Sequence, residues 1–339
     1  MVVRRRWRAR QGGSLKGLIP RGRGMQLLIA GRGLPQDVDR VLARDAKEDK
    51  LIDPQLECKT VLITGANHGI GEATASAFAA QGSKVFITYY REPSDYSQEE
   101  LAKAREAGVG GRALYEAMKQ RSVDALLQRV CSQGGIAVAQ EADLANPEKI
   151  PLLYDRCEDE LGPVDILVNN HTHCVMETFD PALQTEEGLG VHLVTAGGID
   201  AHFAINARAY ALMMAEYLKR YLQRRAQWGR IINLSTDAAS AHVANVSYAA
   251  SKHAIESYSR SAAAEIGKYG ITVNVVAPGP IQTGYIEPEQ EVDIAAKTPL
   301  GRVGRPEDVA DVIVYLASEQ AHWLTGQLIY VGGGWKMPQ

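Results

Sequence analysis

From residue 59 onward, short β-branched and apolar runs alternate with longer Ala-rich stretches whose apolar positions recur three and four residues apart. A run of four to six such residues bounded by turn formers reads as a buried strand, and a 3.6-residue period reads as an amphipathic helix. The pattern predicts strands at 60–64, 84–89, 136–141, 166–169, 230–235, 272–277 and 327–331. It predicts helices between them, over 70–81, 113–132, 147–161, 203–226, 247–268 and 306–318. Parallel strands need a crossover helix to return the chain. Seven strands separated by helices therefore predict one doubly wound α/β domain over residues 59–339, a sheet of seven parallel strands with helices on both faces. Such sheets bind ligands beyond the carboxyl ends of their strands, so the strand-to-helix junctions are where chemistry is sought.

Composition agrees with this picture. The 339 residues are 45% hydrophobic and 23% charged, which supports a buried core and excludes disorder or collagen-like repetition. No apolar run approaches the ~18 residues of a membrane span, so no bilayer crossing is expected. Cys58, Cys131, Cys157 and Cys174 form no CxxC pair and read as reduced thiols of a cytoplasmic protein. The net charge of -3 hides an asymmetry: residues 1–32 hold nine Lys and Arg and no acid, leaving 28 bases against 40 acids elsewhere. That Arg-rich, Gly-broken stretch fits an unstructured or artefactual leader better than a targeting peptide or a nucleic-acid arm, and Met25 is an alternative start. Residues 1–58 are expected to be a basic N-terminal extension, poorly ordered over 1–32.

The first junction reads Thr64-Gly65-Ala66-Asn67-His68-Gly69-Ile70-Gly71 and opens an Ala-rich helix. Gly65 suits a tight turn, Gly69 lets backbone approach a pyrophosphate, and Gly71 lets the helix pack on the strand, while the helix N-terminus offers free N–H groups to the anion. Glycine triplets are common, and Gly31-Arg32-Gly33 after 27–30 is a partial decoy. Only the later triplet heads the alternating series, and it predicts dinucleotide binding.

The strand over 230–235 ends in Ser235, and thirteen residues later Tyr248-Ala249-Ala250-Ser251-Lys252 opens a helix. Tyr and Lys four apart share one helical face. A phenol of pKa near ~10 is a poor base at neutral pH, and an adjacent ammonium favours phenolate. Lys252 is thus expected to lower the pKa of Tyr248, which passes a proton to a carbonyl oxygen held by the Ser235 hydroxyl. A second Tyr-x-x-x-Lys, Tyr115 to Lys119, lacks the upstream serine and reads as a solvated helix face in the second crossover.

These residues together resemble the short-chain dehydrogenase/reductase family over 59–335, and within it 3-oxoacyl-acyl-carrier-protein reductase-type members. The motifs that carry the likeness are Thr64-Gly65-x-x-x-Gly69-Ile70-Gly71, Asp143-Leu144, Asn169-Asn170, Asn206, Ser235, Tyr248-x-x-x-Lys252, Pro278-Gly279-x-Ile281-x-Thr283 and Pro299-Leu300-Gly301-Arg302. The resemblance implies a Rossmann-type fold and hydride transfer between a nicotinamide coenzyme and a ketone or secondary alcohol. It implies Asn206 as organiser of backbone and a water relay, Ser235 as carbonyl anchor, Tyr248 as acid/base, and Lys252 as modifier of Tyr248 and ribose ligand. It also implies coenzyme contacts from Gly65, Asn67, His68, Gly69, Ile70 and Gly71. Asp143 and Leu144 fall at adenine, Asn170 at the adenine ribose, and Pro278, Gly279, Ile281 and Thr283 at the carboxamide and phosphate side. NAD users generally carry an acid at the end of the second strand. Here Tyr89-Tyr90-Arg91 stands there, and Arg91 is expected to meet a 2′-phosphate, with His68 partly charged before the second glycine and Glu92 able to swing in. NADP is therefore the expected coenzyme, with NAD as the alternative.

Three features depart from the family pattern. The crossover over 91–135 is about twenty residues longer than a compact βαβ unit calls for, and covers the adenosine end or extends an interface. His171-Thr172 follows the double asparagine where relatives carry Ala-Gly, and residues 185–200 form an insertion beside the substrate entrance. His171, His173, Cys174, His192 and His202 are spaced too irregularly for a zinc site. A 3-oxoacyl thioester is the first substrate candidate, with a sugar, steroid or polyol next to it. The rival of another class is an idle nucleotide-sensing or nucleic-acid-binding protein using the Arg-rich arm. The family further implies a homo-oligomer, a dimer or tetramer built through helices 203–226 and 247–268.

Overall fold

In a computed structural model of the chain, residues 53–184 and 191–335 are described. Residues 1–52 of the basic extension, with all of the expected disorder over 1–32 and the alternative start, and residues 185–190 of the 185–200 insertion lie outside the described residues.

Seven strands form the main sheet: β1 (Thr60–Thr64), β2 (Lys84–Tyr89), β3 (Ile136–Glu141), β4 (Ile166–Asn169), β7 (Gly229–Leu234), β8 (Ile271–Pro278) and β9 (Leu328–Val331). The short strands β5 (Glu177–Thr178) and β6 (His192–Leu193) pair separately. Every pair is parallel, in the order β3-β2-β1-β4-β7-β8-β9. β1 and β7 are buried along their whole length and do not alternate with polar residues, because helices cover both faces. One face packs Val61, Ile63, Ile232 and Leu234 against α1 (Gly69–Ala80), α4 (Asp124–Ser132) and α10 (Pro306–Ala317). The other packs Leu62, Leu167 and Ile231 against α5 (Lys149–Leu161), α7 (Tyr210–Gln223) and α8 (Val246–Ile266). Strand order reverses between β1 and β4, which opens a crevice at their carboxyl ends.

Helices differ from expectation in three places. The single helix predicted over 113–132 is two, α3 (Arg112–Lys119) and α4, and α2 (Gln98–Ala107) precedes them. The helix predicted over 203–226 begins earlier, as α6 (Ala196–Phe203), and passes through a π-helical segment at Ala204–Ala209 before α7. A further helix, α9 (Pro288–Lys297), starts at a proline in its first turn. No described helix is long and apolar enough to cross a membrane.

Candidate active site

The β1–α1 turn is held too tightly for side chains. Gly65 and Gly69 adopt left-handed φ of 65° and 56°. A Cβ on Gly65 would lie 2.8 Å from the His171 Cα, and one on Gly71 2.2 Å from the Gly65 oxygen. The α1 N-terminus is thereby pressed against the ends of β1 and β4 with its first N–H groups directed into the crevice. Asn170 ties the same corner, donating from Nδ2 to the Gly65 oxygen at 2.7 Å. A cleft runs from this turn past Tyr89, Asp143 and Leu144 at one end to Asn170, Thr172 and Thr283 at the other, with Asn67, His68 and Ile70 in its wall. Gly71, Pro278, Gly279 and Ile281 do not line it. Gly279 packs on Gly332, and the Ile281 side chain is in the core.

The charged groups are arranged otherwise than the sequence suggests. Arg91 turns to Glu141, donating from Nε at 3.2 Å and from Nη2 at 2.6 Å, and does not line the cleft. Both groups stand on strand tips paired Tyr89 to Glu141, which puts fork and carboxylate side by side. His68 is uncharged at neutral pH, its pKa lowered to about 4 by burial and the charge of Lys119. The Asn67 amide is committed to the longer crossover, donating to the carbonyl oxygens of Lys119 at 2.8 Å and Arg121 at 3.3 Å. Tyr115 and Lys119, expected on a solvated face, line the cleft instead. The extra crossover covers the cleft, with Gly111 N–H bonded to the Gly284 oxygen at 2.9 Å and Tyr115 edge-on to Tyr285.

Tyr248 and Lys252 do meet, the Lys252 Nζ lying 5.9 Å from the Tyr248 ring centroid. The electrostatics run against expectation. Withdrawal from solvent, reinforced by Cys174, Tyr115 and Tyr285, raises the Tyr248 pKa, and a hydrogen bond to Thr172 opposes it only in part. Burial in turn lowers the Lys252 pKa to about 7. The Lys252 Nζ donates to the Leu234 oxygen at 3.0 Å and to Tyr210 Oη at 3.4 Å.

Asn206, fully buried in the π-helical segment, joins three elements. Its Oδ1 accepts from the His173 N–H at 2.8 Å, and its Nδ2 donates to the His173 oxygen at 2.8 Å and Ser251 Oγ at 3.0 Å. His171 is equally committed. Its Nε2–H donates to the Ile205 oxygen at 3.1 Å, and Nδ1 accepts from Thr64 Oγ1 at 2.7 Å.

Ser235 is not brought to the cleft. Its buried Oγ donates to Glu256 Oε1 at 2.9 Å, beneath α8. The chain stays extended past β7, with Ser235 N–H on the Val276 oxygen and Asp237 N–H on the Pro278 oxygen. Strand alternation therefore turns the next hydroxyl, Thr236, to the opposite side. There its Oγ1 accepts from the Ala238 N–H at 3.3 Å and donates to Asp237 Oδ1 at 3.4 Å.

A glycine-pressed helix mouth, a covered cleft and a Tyr–Lys pair that does not line the cleft but reaches its wall through Thr172 agree with two family models. That of "short chain dehydrogenase" matches residues 59–130, and that of "Enoyl-(Acyl carrier protein) reductase" matches 104–336. The chain belongs to the short-chain dehydrogenase/reductase family. Relatives in that family include a 3-oxoacyl-[acyl-carrier-protein] reductase of Synechocystis, 30% identical over 83% of this chain and 98% of the relative. An L-rhamnose 1-dehydrogenase (NAD(P)(+)) of Azotobacter vinelandii is 30% identical over 81% and 96%. A solved short-chain dehydrogenase/reductase of Serratia marcescens superposes with a TM-score of 0.65 at 25% identity, covering 83% of this chain and 99% of that one. The chain is accordingly an oxidoreductase of an NAD(P)-using family.

Proposed function

We propose that this reductase interconverts a ketone and a secondary alcohol, with Tyr248 exchanging the proton at the carbonyl oxygen. The observation that carries this reading is the Tyr248–Lys252 pair beside a cleft whose mouth tolerates no Cβ at Gly65 or Gly71. Such a cradle fits a dinucleotide: Gly65, Gly69 and the first N–H groups of α1 take the pyrophosphate, Asp143 and Leu144 the adenine end, and Asn170 and Thr283 the nicotinamide side. The bound coenzyme supplies or accepts the hydride. Thr236 takes the part expected of Ser235 and holds the carbonyl oxygen by its hydroxyl. Asn206 fixes the His173 backbone against α8, which holds the Tyr248 helix in position. The Arg91 guanidinium pairs here with Glu141, so a 2′-phosphate at this position competes with that carboxylate for it.

For substrate, the acyl reading is favoured over the sugar reading by the apolar rim next to Cys174. Val175, Met176, Phe179, Leu193 and Phe203 are all exposed, and they are grouped by the Val175 N–H on His202 and the pairing of Thr178 with Leu193. A 3-oxoacyl thioester offers a chain to cover them and a sugar does not. The test is turnover of a substrate panel, 3-oxoacyl thioesters beside sugars and polyols, with NADPH and NADH or their oxidised forms. Turnover of a carbonyl that disappears in Tyr248→Phe supports the assignment, and full activity in that variant overturns it.

A further inference from the structure

The cover over the cleft is built from residues the sheet itself does not require, and it brings a cation with it. α3 ends at Lys119, whose carbonyl oxygen is gripped by the Asn67 amide beside the α1 N-terminus. Among the described residues lining the cleft, Lys119 is the one lysine or arginine, while Glu92 and Asp143 are the acids. Neighbouring cations are committed elsewhere: Arg91 to Glu141, and Arg121 and Arg129 to Glu72. A dinucleotide brings at least the two negative charges of its pyrophosphate into this acidic cleft. The partial charge of one helix N-terminus does not neutralise them.

We propose that Lys119 is a coenzyme-phosphate ligand carried in by the inserted helix, and that it leaves Glu92 for the phosphate when the dinucleotide binds. This rests on the coenzyme reading above and adds a residue and an exchange to it. The Lys119 Nζ lies 3.3 Å from Glu92 Oε2 and 3.3 Å from Glu116 Oε1, longer than a close charge-assisted hydrogen bond. The pair is part-exposed, 24% at Lys119 and 40% at Glu92, so solvent screens part of its attraction. Glu92 keeps a second partner, His173 Nδ1 at 3.3 Å, and so is not stranded when Lys119 moves. The pyrophosphate taken as a unit, or the 2′-phosphate, offers Lys119 about two charges where a carboxylate offers one, at a site beside the first N–H groups of α1.

Two phosphates share this chemistry, the pyrophosphate common to both coenzymes and the 2′-phosphate of NADP. The experiment separates them by titrating NADPH and NADH, without substrate, into the full chain and its variants, read by nicotinamide fluorescence. Lys119→Gln is expected to bind coenzyme about tenfold to a hundredfold more weakly, the effect of one charge-assisted contact. Lys119→Arg is expected to restore most of the loss. Glu92→Gln, which frees the lysine and removes a repelling charge, is expected to bind more tightly and stands as the test if Lys119→Gln does not fold. A loss confined to NADPH assigns the 2′-phosphate, and an equal loss with both coenzymes assigns the pyrophosphate. Unchanged binding in Lys119→Gln, or no gain in Glu92→Gln, overturns the proposal. A wild-type chain that binds neither coenzyme overturns instead the oxidoreductase reading on which it rests.

Discussion

A phenol withdrawn from solvent keeps its proton, and this sets the direction in which Tyr248 works at neutral pH. With its pKa raised by burial, Tyr248 is a proton donor, the form that carbonyl reduction needs. Alcohol oxidation needs the phenolate, so its rate is expected to climb as pH rises above neutrality while reduction gains nothing, a contrast read from initial rates in both directions between pH 6 and 10. Removing the hydroxyl with Tyr248→Phe is expected to cost about 10²–10⁴-fold in kcat, the usual span for a positioned acid, with coenzyme binding retained. The two hydroxyls at the end of β7 separate in the same assay. Thr236→Ala is expected to lower kcat, because it removes the donor proposed for the reacting oxygen. Ser235→Ala leaves Glu256 short of a partner under α8 and is expected to lower the melting temperature with little change in kcat.

At the scale of elements, the β1–α1 turn leaves no room for a side chain at Gly65 or Gly71. Gly71→Ala places a methyl 2.2 Å from the Gly65 oxygen, a backbone atom with no way to retreat, so α1 must lift from the sheet. The expected result is loss of measurable coenzyme binding together with a fall in stability of more than about 1 kcal/mol, followed by titration and chemical denaturation. This turn was fully legible, because glycine spacing records backbone geometry directly, and all seven main strands were legible because burial on both faces makes them continuous apolar runs. The crossover was not. Ser97 and Glu100 form a capping box at the start of α2, but the helix is so polar that it offers no buried stripe to a periodicity count. Position in the chain then misled. Tyr115 and Lys119 lie in the second crossover by sequence, but a helix longer than the crossover needs can fold back over the cleft, and only the Asn67 and Gly284 contacts reveal that it does. Ser235 failed for a related reason, since a count of thirteen residues does not say on which face of a strand a side chain stands. Local pKa values were the least legible, because burial, reinforced by the neighbouring Cys174, Tyr115 and Tyr285, raises the Tyr248 value and the motif displays none of these neighbours.

For the whole molecule, the price of threading histidines through the cleft is sensitivity to acid. His171 joins β1, through Thr64, to the π-helical segment, through Ile205, and lies tilted against Tyr210 with ring centroids 4.3 Å apart. Burial and the charge of Lys252 lower its pKa from 6.5 to about 3. The unfolded chain binds this proton below pH 6.5 and the folded chain does not, so between pH 6.5 and 3 the unfolded state holds more protons and stability falls as pH falls. At pH 5, one and a half units below the unfolded value, His171 alone is expected to remove about 2 kcal/mol relative to its contribution above neutrality. His68, with its pKa at about 4, acts in the same direction over pH 6.5 to 4. Glu92 does not contribute in this window, because a carboxyl held at about 2 loses its stabilising effect only between pH 4.5 and 2. Urea denaturation from pH 7 down to pH 5 is therefore expected to show a falling midpoint. His171→Asn is expected to be less stable at pH 7, where it gives up the Thr64 and Ile205 bonds, but to lose distinctly less between pH 7 and 5. A variant whose midpoint falls as steeply as the wild type over that interval would show that the acid sensitivity resides elsewhere than in this buried ring.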